Sequence, residues 1–372
     1  MTIENIPRLP LNQAKEAVML SFDMGIVPLL LSSPGMGKSS IHAQIAQERN
    51  LKMIDLRLGQ CDPTDLMGFP FMNHQTGLAS YYPMDTFPLA STPLPLKLDD
   101  NGQVMKDAQG NPLYYSGWLL FLDELTSANE AVQAAAYKLI LDRMVGNHHL
   151  HKQVFISAAG NEEGQNAIVT PMSTALVSRV TTIYVDLPFK DWWENYGRDN
   201  GIDMRIGAYL NWRPHHFDNF KDTVEERTPF GCGRTWTNAS KIIKKFPNGL
   251  TSVARALLDG TIGLQLSVEF NSFLAIYSQL PNIDNIIANP ETAPLVSQER
   301  MDIMYALMGS LVDKTNKSNS EAILKYVARQ PLEMQMFAVK SILADKDKKM
   351  DFMKTPTFIQ WSKTYAKELF AM

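Results

Sequence analysis

One glycine-rich stretch constrains this chain more than any other. It reads Ser-Ser-Pro-Gly-Met-Gly-Lys-Ser over residues 32–39. An apolar run, Val27 to Leu31, precedes it, and a helix-compatible run, Ser40 to Arg49, follows it. Strand, glycine turn and helix in this order form the context of a phosphate-binding loop. The stretch therefore predicts an anion site at the start of a helix in an α/β fold.

The residue types in the loop fit that chemistry. Gly35 and Gly37 allow backbone conformations that a Cβ would obstruct, so that the loop amides can surround a phosphate. Lys38 is expected to reach the β- and γ-phosphates of a nucleotide, and the Ser39 hydroxyl to bind Mg²⁺. The motif departs from G-x-x-x-x-G-K-[ST] because Ser32 stands where glycine is usual. The alternative is a chance glycine turn with a surface lysine. The predicted nucleotide contacts are Pro34, Gly35, Met36, Gly37, Lys38, Ser39 and Ser40.

A second motif follows a strongly apolar run. Residues 118–122 are all apolar, which is typical of a buried central strand in a parallel sheet, and Asp123-Glu124 comes directly after them. Ligands bind at the carboxyl ends of such strands. Asp123 is therefore predicted to hold Mg²⁺, directly or through water, and Glu124 to position or deprotonate a water. The alternative is an acidic helix cap, but Ser127 and Glu130 already offer a capping box for the next helix.

Further apolar runs complete a sheet. We expect strands at 51–57, 154–159 and 181–185, in addition to the two strands that carry the motifs. Helical patterns at 11–22, 40–49 and 128–144 alternate with them, which predicts a central parallel sheet of five strands. Between the second and third strands, residues 59–117 are rich in proline, glycine and turn signals. This region is predicted to be an insertion of turns and short hairpins.

Beyond Pro188 the periodicity is helical. Residues 281–294 are loop-like and mark a boundary. Residues 346–349 are predicted to be a solvated connector. Earlier in the chain, His148, His149 and His151 are predicted to lie at a polar hairpin tip rather than to bind a metal. Predicted helices cover 191–196, 204–212, 235–246, 252–258, 266–280, 299–313, 320–329, 331–345 and 356–370.

Composition limits the class of protein. The 372 residues are 45% hydrophobic and 20% charged, as in an ordinary globular protein, and the net charge of -4 argues against a generally basic nucleic-acid-binding surface. Two cysteines imply no disulfide framework. The sequence shows neither a signal peptide nor a membrane span, so a cytoplasmic location is expected.

The ordered motifs resemble the AAA+ superfamily, and specifically its MoxR-like branch. The resemblance covers about residues 10 to 280 and begins at Pro34 to Ser39. It continues through Asp62 to Gly68, which is similar to a Pro-x-Asp-x-x-Gly segment, and through Phe121 to Leu125 and the helix with Val132-Gln133. By resemblance, Asn161 is the sensor 1 asparagine that orients the attacking water.

The resemblance also implies roles for two arginines. Ser178-Arg179-Val180 lies where the family usually has Asp/Asn-Arg-Phe, whose arginine reaches a neighbouring subunit's γ-phosphate. Arg143 is the competing candidate for this arginine finger. Alternatively, Arg179 is a helix-end charge that interacts with its own helix dipole. Gly233-Arg234-Thr235-Trp236 resembles the sensor 2 segment of a helical lid, although Arg234 could equally be a surface residue at a helix start.

These patterns combine into one prediction. The fold is α/β, with a P-loop AAA+ domain over 1–188, a helical lid over 189–282 and a C-terminal helical segment over 283–372. The predicted function is Mg²⁺-dependent ATP hydrolysis to ADP, and the resemblance implies a ring-forming, chaperone-like remodelling ATPase. The resemblance implies a hexamer and a von Willebrand factor A-type partner protein. Two alternatives stay open: an AAA+ motor or loader acting on nucleic acid, and a nucleotide-binding switch with little turnover.

Overall fold

The structure, a computed structural model, describes residues 7–75, 77–162, 170–220, 228–247, 249–276 and 280–370. The chain forms two compact units, residues 1–187 and residues 188–372. The first unit contains the parallel sheet and both predicted nucleotide-binding motifs. The second unit is built from helices. The division of residues 189–372 into a helical lid (189–282) and a C-terminal segment (283–372) stays a prediction.

The central sheet of the first unit has six parallel strands, which confirms the predicted α/β class and corrects the strand count. Their order across the sheet is β1-β10-β2-β9-β6-β3. The strand that was not predicted is β1, a two-residue edge strand whose Leu9 pairs with Val185. It is too short for a periodic signal. The strands are β1 (Leu9–Pro10), β2 (Val27–Ser32), β3 (Leu51–Arg57), β6 (Gly117–Asp123), β9 (Val154–Asn161) and β10 (Val180–Asp186).

Both faces of the central strands β2, β6 and β9 are buried, as expected for parallel strands between helices. On β2, Leu29 and Leu31 belong to one apolar cluster, and Leu30 belongs to the cluster on the opposite face. Strand β6 behaves in the same way. Helices α1 (Leu11–Met24) and α2 (Lys38–Glu48) contribute to the face of Leu30, and α4 (Glu130–Asp142) contributes to the other. The continuous apolar runs of the sequence therefore reflect two-sided burial.

Helix α4 corrects one detail of the sequence interpretation. It begins at Glu130, and its cap is Asn129, whose side-chain oxygen accepts a hydrogen bond from the Val132 amide at 3.0 Å. The predicted capping box of Ser127 and Glu130 is wrong because Ser127 belongs to a preceding 3₁₀ turn. The helix ends at Asp142, and a small hairpin follows, in which β7 (Met144–Val145) pairs with β8 (His148–His149). This hairpin was expected around the histidines.

The predicted insertion consists of short elements, as expected. After α3 (Pro63–Met67), strands β4 (Phe69–Asn73) and β5 (Leu78–Tyr82) form an antiparallel hairpin. Asp99 and Asp107 then each build a turn, because each carboxylate accepts backbone hydrogen bonds from residues two and four positions later. A helix of four residues, α5 (Thr174–Val177), precedes β10.

The second unit contains more helix than the sequence predicted. The interval 281–294 contains α11 (Ile283–Ala288), capped by Asn282, and residues 346–349 lie in α15 (Lys346–Phe352), capped by Asp345. Both segments were predicted to be irregular, and local side-chain caps overturn that prediction. The end of the predicted helix 266–280 falls partly outside the described residues. The other helices are α6 (Phe189–Trp192), α7 (Met204–Trp212), α8 (Gly233–Lys244), α9 (Ser252–Ile262), α10 (Leu264–Ile276), α12 (Met301–Lys314), α13 (Ser320–Val327), α14 (Leu332–Ala344) and α16 (Pro356–Phe370).

Within the described part of the chain, every helix is too short or too polar to cross a bilayer.

Candidate functional site

The glycine-rich loop connects the carboxyl end of β2 to the first turn of α2. Gly35 and Gly37 have φ angles of 78° and 82°, in the left-handed region that favours glycine. Gly37 is also the N-terminal cap of α2, and no side chain caps that end. The first amides of a helix have no partner within the helix. The backbone donors of the loop and the positive end of the helix dipole therefore point towards the same position, where an anion would bind.

Lys38 folds back over this loop and is nearly buried, with 9% of its surface exposed. Its ammonium group donates to the Ser32 carbonyl at 3.1 Å, the Ser32 hydroxyl at 2.8 Å and the Ser33 carbonyl at 3.2 Å. It also lies 3.3 Å from Oδ1 of Asn161. This last contact joins the loop to the carboxyl end of β9, 123 positions along the chain. The predicted loop lysine and sensor asparagine are therefore neighbours.

The predicted metal ligands also meet. The Ser39 hydroxyl donates to Oδ2 of Asp123 at 3.0 Å, although the two residues are 84 positions apart. Oδ1 of Asp123 accepts a hydrogen bond from the Glu124 amide at 2.9 Å, which fixes the carboxylate. One hydroxyl and one carboxylate suit Mg²⁺, which typically takes one or two carboxylates, phosphate oxygens and water. The chemistry of these donors therefore fits the predicted ion.

Glu124 occupies an unusual backbone conformation, with φ 59° and ψ 30°. Non-glycine residues rarely adopt this region, and such strain concentrates at functional sites. A side chain at Gly59 would be unfavourable here, because a Cβ on Gly59 would lie 2.8 Å from Oε2 of Glu124. The missing side chain of Gly59 leaves room for the Glu124 carboxylate. Sequence reasoning did not select Gly59.

Asn161 is held by the segment that follows Glu124. The Thr126 hydroxyl accepts a hydrogen bond from the Asn161 amide at 2.9 Å and donates to the Asn161 carbonyl at 3.0 Å. Gly160 permits this close approach, since a Cβ on it would lie 2.5 Å from the Thr126 hydroxyl oxygen. The ends of β6 and β9 are thereby tied together, and the amide side chain of Asn161 is left to face Lys38.

The buried side chain of His42 supports the glycine-rich loop from the interior of the first unit. The sequence patterns did not indicate this residue. His42 Nδ1 lies 2.7 Å from the Lys38 carbonyl, and Nε2 lies 2.7 Å from the Ser157 hydroxyl. A carbonyl only accepts, so Nδ1 carries the proton and Nε2 accepts from Ser157. The ring stacks on Phe121 at 4.0 Å, and burial lowers the pKa of His42 to about 4. His42 is therefore neutral at pH 7 and connects α2 to β6 and β9.

The remaining predicted loop contacts surround these groups. Pro34 and Gly35 are half-buried, Met36 is buried, and Ser39 and Ser40 are exposed at the first turn of α2. Nucleotide contact by these residues stays a prediction.

Arg179 is not part of this cluster. It directly precedes β10, whose first residue Val180 pairs with Val27 at the start of β2. Arg179 therefore lies at the amino edge of the sheet, whereas the loop follows Ser32 at the carboxyl edge. Five residues at about 3.3 Å each separate these edges, which is more than an arginine side chain spans. The guanidinium is exposed; it donates to the Ser178 hydroxyl at 2.6 Å and lies 5.8 Å from the Tyr137 ring centre.

The competing arginine is bound within its own chain. Arg143 is half-buried, has a φ of 53°, and donates a hydrogen bond to the Val154 carbonyl. Burial lowers the pKa of its guanidinium. Arg234 belongs to the second unit, where it is exposed in the first turn of α8. Its predicted role at the nucleotide stays a prediction.

Comparison with known proteins gives only distant likenesses. No family model and no curated protein matches the chain. Solved structures that resemble it include a point mutant of Thermotoga maritima RuvB, at 14% identity and a TM-score of 0.36, covering 82% of this chain and 83% of that chain. NtrX from Brucella abortus shows 11% identity and a TM-score of 0.32, with coverages of 90% and 68%.

A DNA polymerase III gamma subunit-related protein from Thermotoga maritima shows 10% identity and a TM-score of 0.33, with coverages of 95% and 99%. These values are too low to support an argument about function. The fold and the site therefore rest on the geometry described above.

Proposed function

We propose that this chain is a Mg²⁺-dependent ATPase of the MoxR-like AAA+ type. One observation carries the proposal: Lys38 and Ser39, in the glycine-rich loop, contact Asn161 and Asp123 at the carboxyl ends of two other strands. A chance glycine turn with a surface lysine would not bury that lysine or place it beside these groups. The arrangement instead suits phosphoryl transfer, in which catalysis consists mainly of positioning and charge neutralisation.

Each residue then has a role in hydrolysis. The loop amides and Lys38 bind the phosphates, and Ser39 with Asp123 would hold Mg²⁺. The ion, when bound, neutralises charge that develops on the phosphate oxygens. Glu124 accepts a proton from a water whose oxygen forms a bond to the γ-phosphorus, while the bond from that phosphorus to the β–γ bridging oxygen breaks. Asn161 orients the water. The products are ADP and phosphate.

The finer part of the proposal is an assembly of several copies. Its support is that Arg179 is exposed at the sheet edge opposite the loop, which favours a role at a neighbouring subunit's site over a role at its own. Arg143 is less suited to this role because its guanidinium is half-buried and bound to Val154. Head-to-tail contacts either close into a ring or form filaments, and we propose a closed ring, a hexamer by family resemblance.

The partner is proposed to bind the insertion. Its hairpin β4–β5 exposes apolar side chains to solvent, and residues 66–82 contain no Asp, Glu, Lys or Arg. Exposed apolar patches are typical of protein interaction sites. A von Willebrand factor A-type protein is the partner that family resemblance suggests. The exposed side chains are Phe69, Phe71, Met72, Leu78, Tyr81 and Tyr82.

Two variants test the catalytic assignment. Glu124→Gln is expected to retain ATP binding and to lower the hydrolysis rate by at least about 100-fold, because it removes the water-activating carboxylate. Lys38→Ala is expected to lose ATP affinity. Calorimetry measures binding, and phosphate release measures turnover.

A matched control is Lys52→Ala, which removes an exposed lysine from β3. It should bind and hydrolyse ATP like the unmodified protein. Unchanged ATP binding in Lys38→Ala would refute the phosphate-binding loop, and near-normal turnover in Glu124→Gln would remove Glu124 from the mechanism.

A further inference from the structure

The motif departs from its usual pattern at Ser32, and the structure places this residue at the centre of the lysine's contacts. Ser32 is the last residue of β2, pairs with Asn161 in the sheet and is fully buried. It is not among the described non-glycine residues with positive φ. The backbone at this position is therefore ordinary, and serine can replace glycine without strain.

The Ser32 hydroxyl is oriented by its own hydrogen bond. It donates to the Ser33 carbonyl at 2.9 Å, so its oxygen lone pairs are free to accept. The Lys38 ammonium is the donor, at 2.8 Å. This is the shortest of the four contacts described for that ammonium group. Glycine at position 32 would retain the carbonyl contact and remove this one.

The ammonium group has more acceptors than protons. It carries three N–H donors, whereas Ser32, Ser33 and Asn161 together offer four oxygen acceptors within 3.3 Å. Donation to a phosphate therefore requires Lys38 to give up at least one of these bonds. A buried hydrogen bond to a charged group is among the stronger ones. The Ser32 hydroxyl therefore increases the free energy that is lost when Lys38 leaves these acceptors. Contacts between Lys38 and the nucleotide must offset that loss.

We infer that Ser32 is a positioning residue that competes with nucleotide phosphate for the Lys38 ammonium group and so lowers the affinity for ATP. This inference rests on the proposed ATPase function and adds to it a residue that sets nucleotide affinity. Ser32 acts through Lys38 and needs no contact with the nucleotide. The effect belongs to the nucleotide-free state, so it falls mainly on Kd and KM rather than on kcat.

The test uses the full chain with Ser32→Ala and, as a second variant, Ser32→Gly. Both remove the hydroxyl, and circular dichroism monitors folding. Binding of ATP without turnover is measured by calorimetry in the Glu124→Gln background. We expect both variants to bind ATP about three-fold more tightly, which is less than the full worth of a charged hydrogen bond because three acceptors remain for the three ammonium protons. Steady-state KM for ATP should fall by a similar factor.

A double-mutant cycle separates this role from a general change in the loop. In a Lys38→Met background, whose weakened ATP binding is measured at raised protein and ATP concentrations, Ser32→Ala should change ATP affinity by less than two-fold, because the ammonium group for which Ser32 and phosphate compete is absent. An equal gain in both backgrounds would show that Ser32 acts without Lys38 and would overturn the inference. Unchanged or weaker ATP binding in both folded Ser32 variants would do the same. Normal ATP binding by Lys38→Met alone would instead refute the proposed function.

Discussion

The two edges of the central sheet differ in what they hold. At the carboxyl edge, Lys38, Ser39, Asp123 and Asn161 are bound to one another or to the loop by hydrogen bonds of 2.8 to 3.3 Å. At the amino edge, Arg179 is exposed and, within the described part of the chain, contacts Ser178 and the face of Tyr137. One edge is a preorganised site, and the other carries a cation without a comparable set of partners among the described residues.

This difference bears on how the proposed catalytic groups would be shared between copies of the chain. One chain can supply the loop, the carboxylates and the asparagine, because they converge at the ends of adjacent parallel strands. It cannot supply Arg179 to the same nucleotide, because the length of a strand lies between them. A second copy that presents its amino edge to this site would complete the set of charges.

The largest effect is expected at the amino edge. Arg179→Ala should bind ATP normally and lose up to about three to five orders of magnitude in hydrolysis, the range for an arginine finger supplied in trans. Activity per subunit of the unmodified protein should rise with protein concentration. Calorimetry, phosphate release and light scattering measure binding, turnover and assembly.

Mixing two inactive variants tests whether the amino edge of one copy completes the site at the carboxyl edge of another. Arg179→Ala mixed with Lys38→Ala should regain activity, since some interfaces then combine an intact lysine with an intact arginine. Arg255→Ala, at another exposed arginine, is the matched control and should behave normally. A monomer with full activity at every concentration would refute both the trans arginine and the ring. If Arg143→Ala, in a folded protein, shows this pattern instead, Arg143 is the finger.

A smaller effect is expected when the carboxyl edge is perturbed without removing any of its polar groups. Gly59→Ala places a methyl group where it would lie 2.8 Å from the Glu124 carboxylate. The carboxylate can rotate away, so stability should change little, but its displacement should lower kcat by about ten- to 100-fold with ATP affinity retained. Phosphate release and calorimetry measure the two quantities.

Gly260→Ala is the matched control, because a Cβ at Gly260 would have no described heavy atom within 4 Å apart from its chain neighbours and the backbone of its own helix. It should leave kcat unchanged. An unaltered kcat in Gly59→Ala would show that the position of the Glu124 carboxylate does not limit hydrolysis.

The smallest effect concerns the support beneath the carboxyl edge and depends on pH. Burial places the pKa of His42 at about 4 in the folded chain, against 6.5 when the ring is free. Between these values the unfolded chain binds the extra proton, so stability is present above pH 6.5 and is lost as the pH falls towards 4. His42 alone should lower the free energy of unfolding by about 2 kcal/mol between pH 8 and pH 5.

Urea unfolding of the unmodified protein and His42→Gln at both pH values measures this contribution. Glutamine keeps a donor and an acceptor but does not titrate, so the difference between the two proteins should shrink at pH 5. His148→Gln, in the exposed hairpin, should keep the full pH dependence. Equal pH dependence in His42→Gln and the unmodified protein would contradict a neutral, buried His42.

The sequence was most informative where a signal is local. The spacing of Gly35 and Gly37 before Lys38 requires a glycine turn that leads into a helix, and both glycines have the positive φ that such a turn uses. Apolar runs ending in Asp123 and in Asn161 predicted buried parallel strands with polar ends, and the strands are there. Motif order along the chain was enough to identify the groups at the carboxyl edge.

Local signals were insufficient where the outcome depends on a cap or on a neighbouring strand. The charges of residues 346–349 predict a solvated connector, but Asp345 caps a helix there. Leu9–Pro10 forms a strand only because the edge of β10 is available to pair with it. Periodicity cannot reveal a two-residue strand, since its conformation is decided by the partner.

What the sequence by itself determined is the set of chemical groups and the local conformations that present them. Tertiary structure decided which groups touch: the Ser39 hydroxyl on Asp123, the Lys38 ammonium on the Ser32 hydroxyl, and His42 between Lys38 and Ser157. These pairs depend on strand order and register, which bring distant segments to one sheet edge. Glycine spacing and hydrophobic period report only on neighbours along the chain, so they do not contain that information.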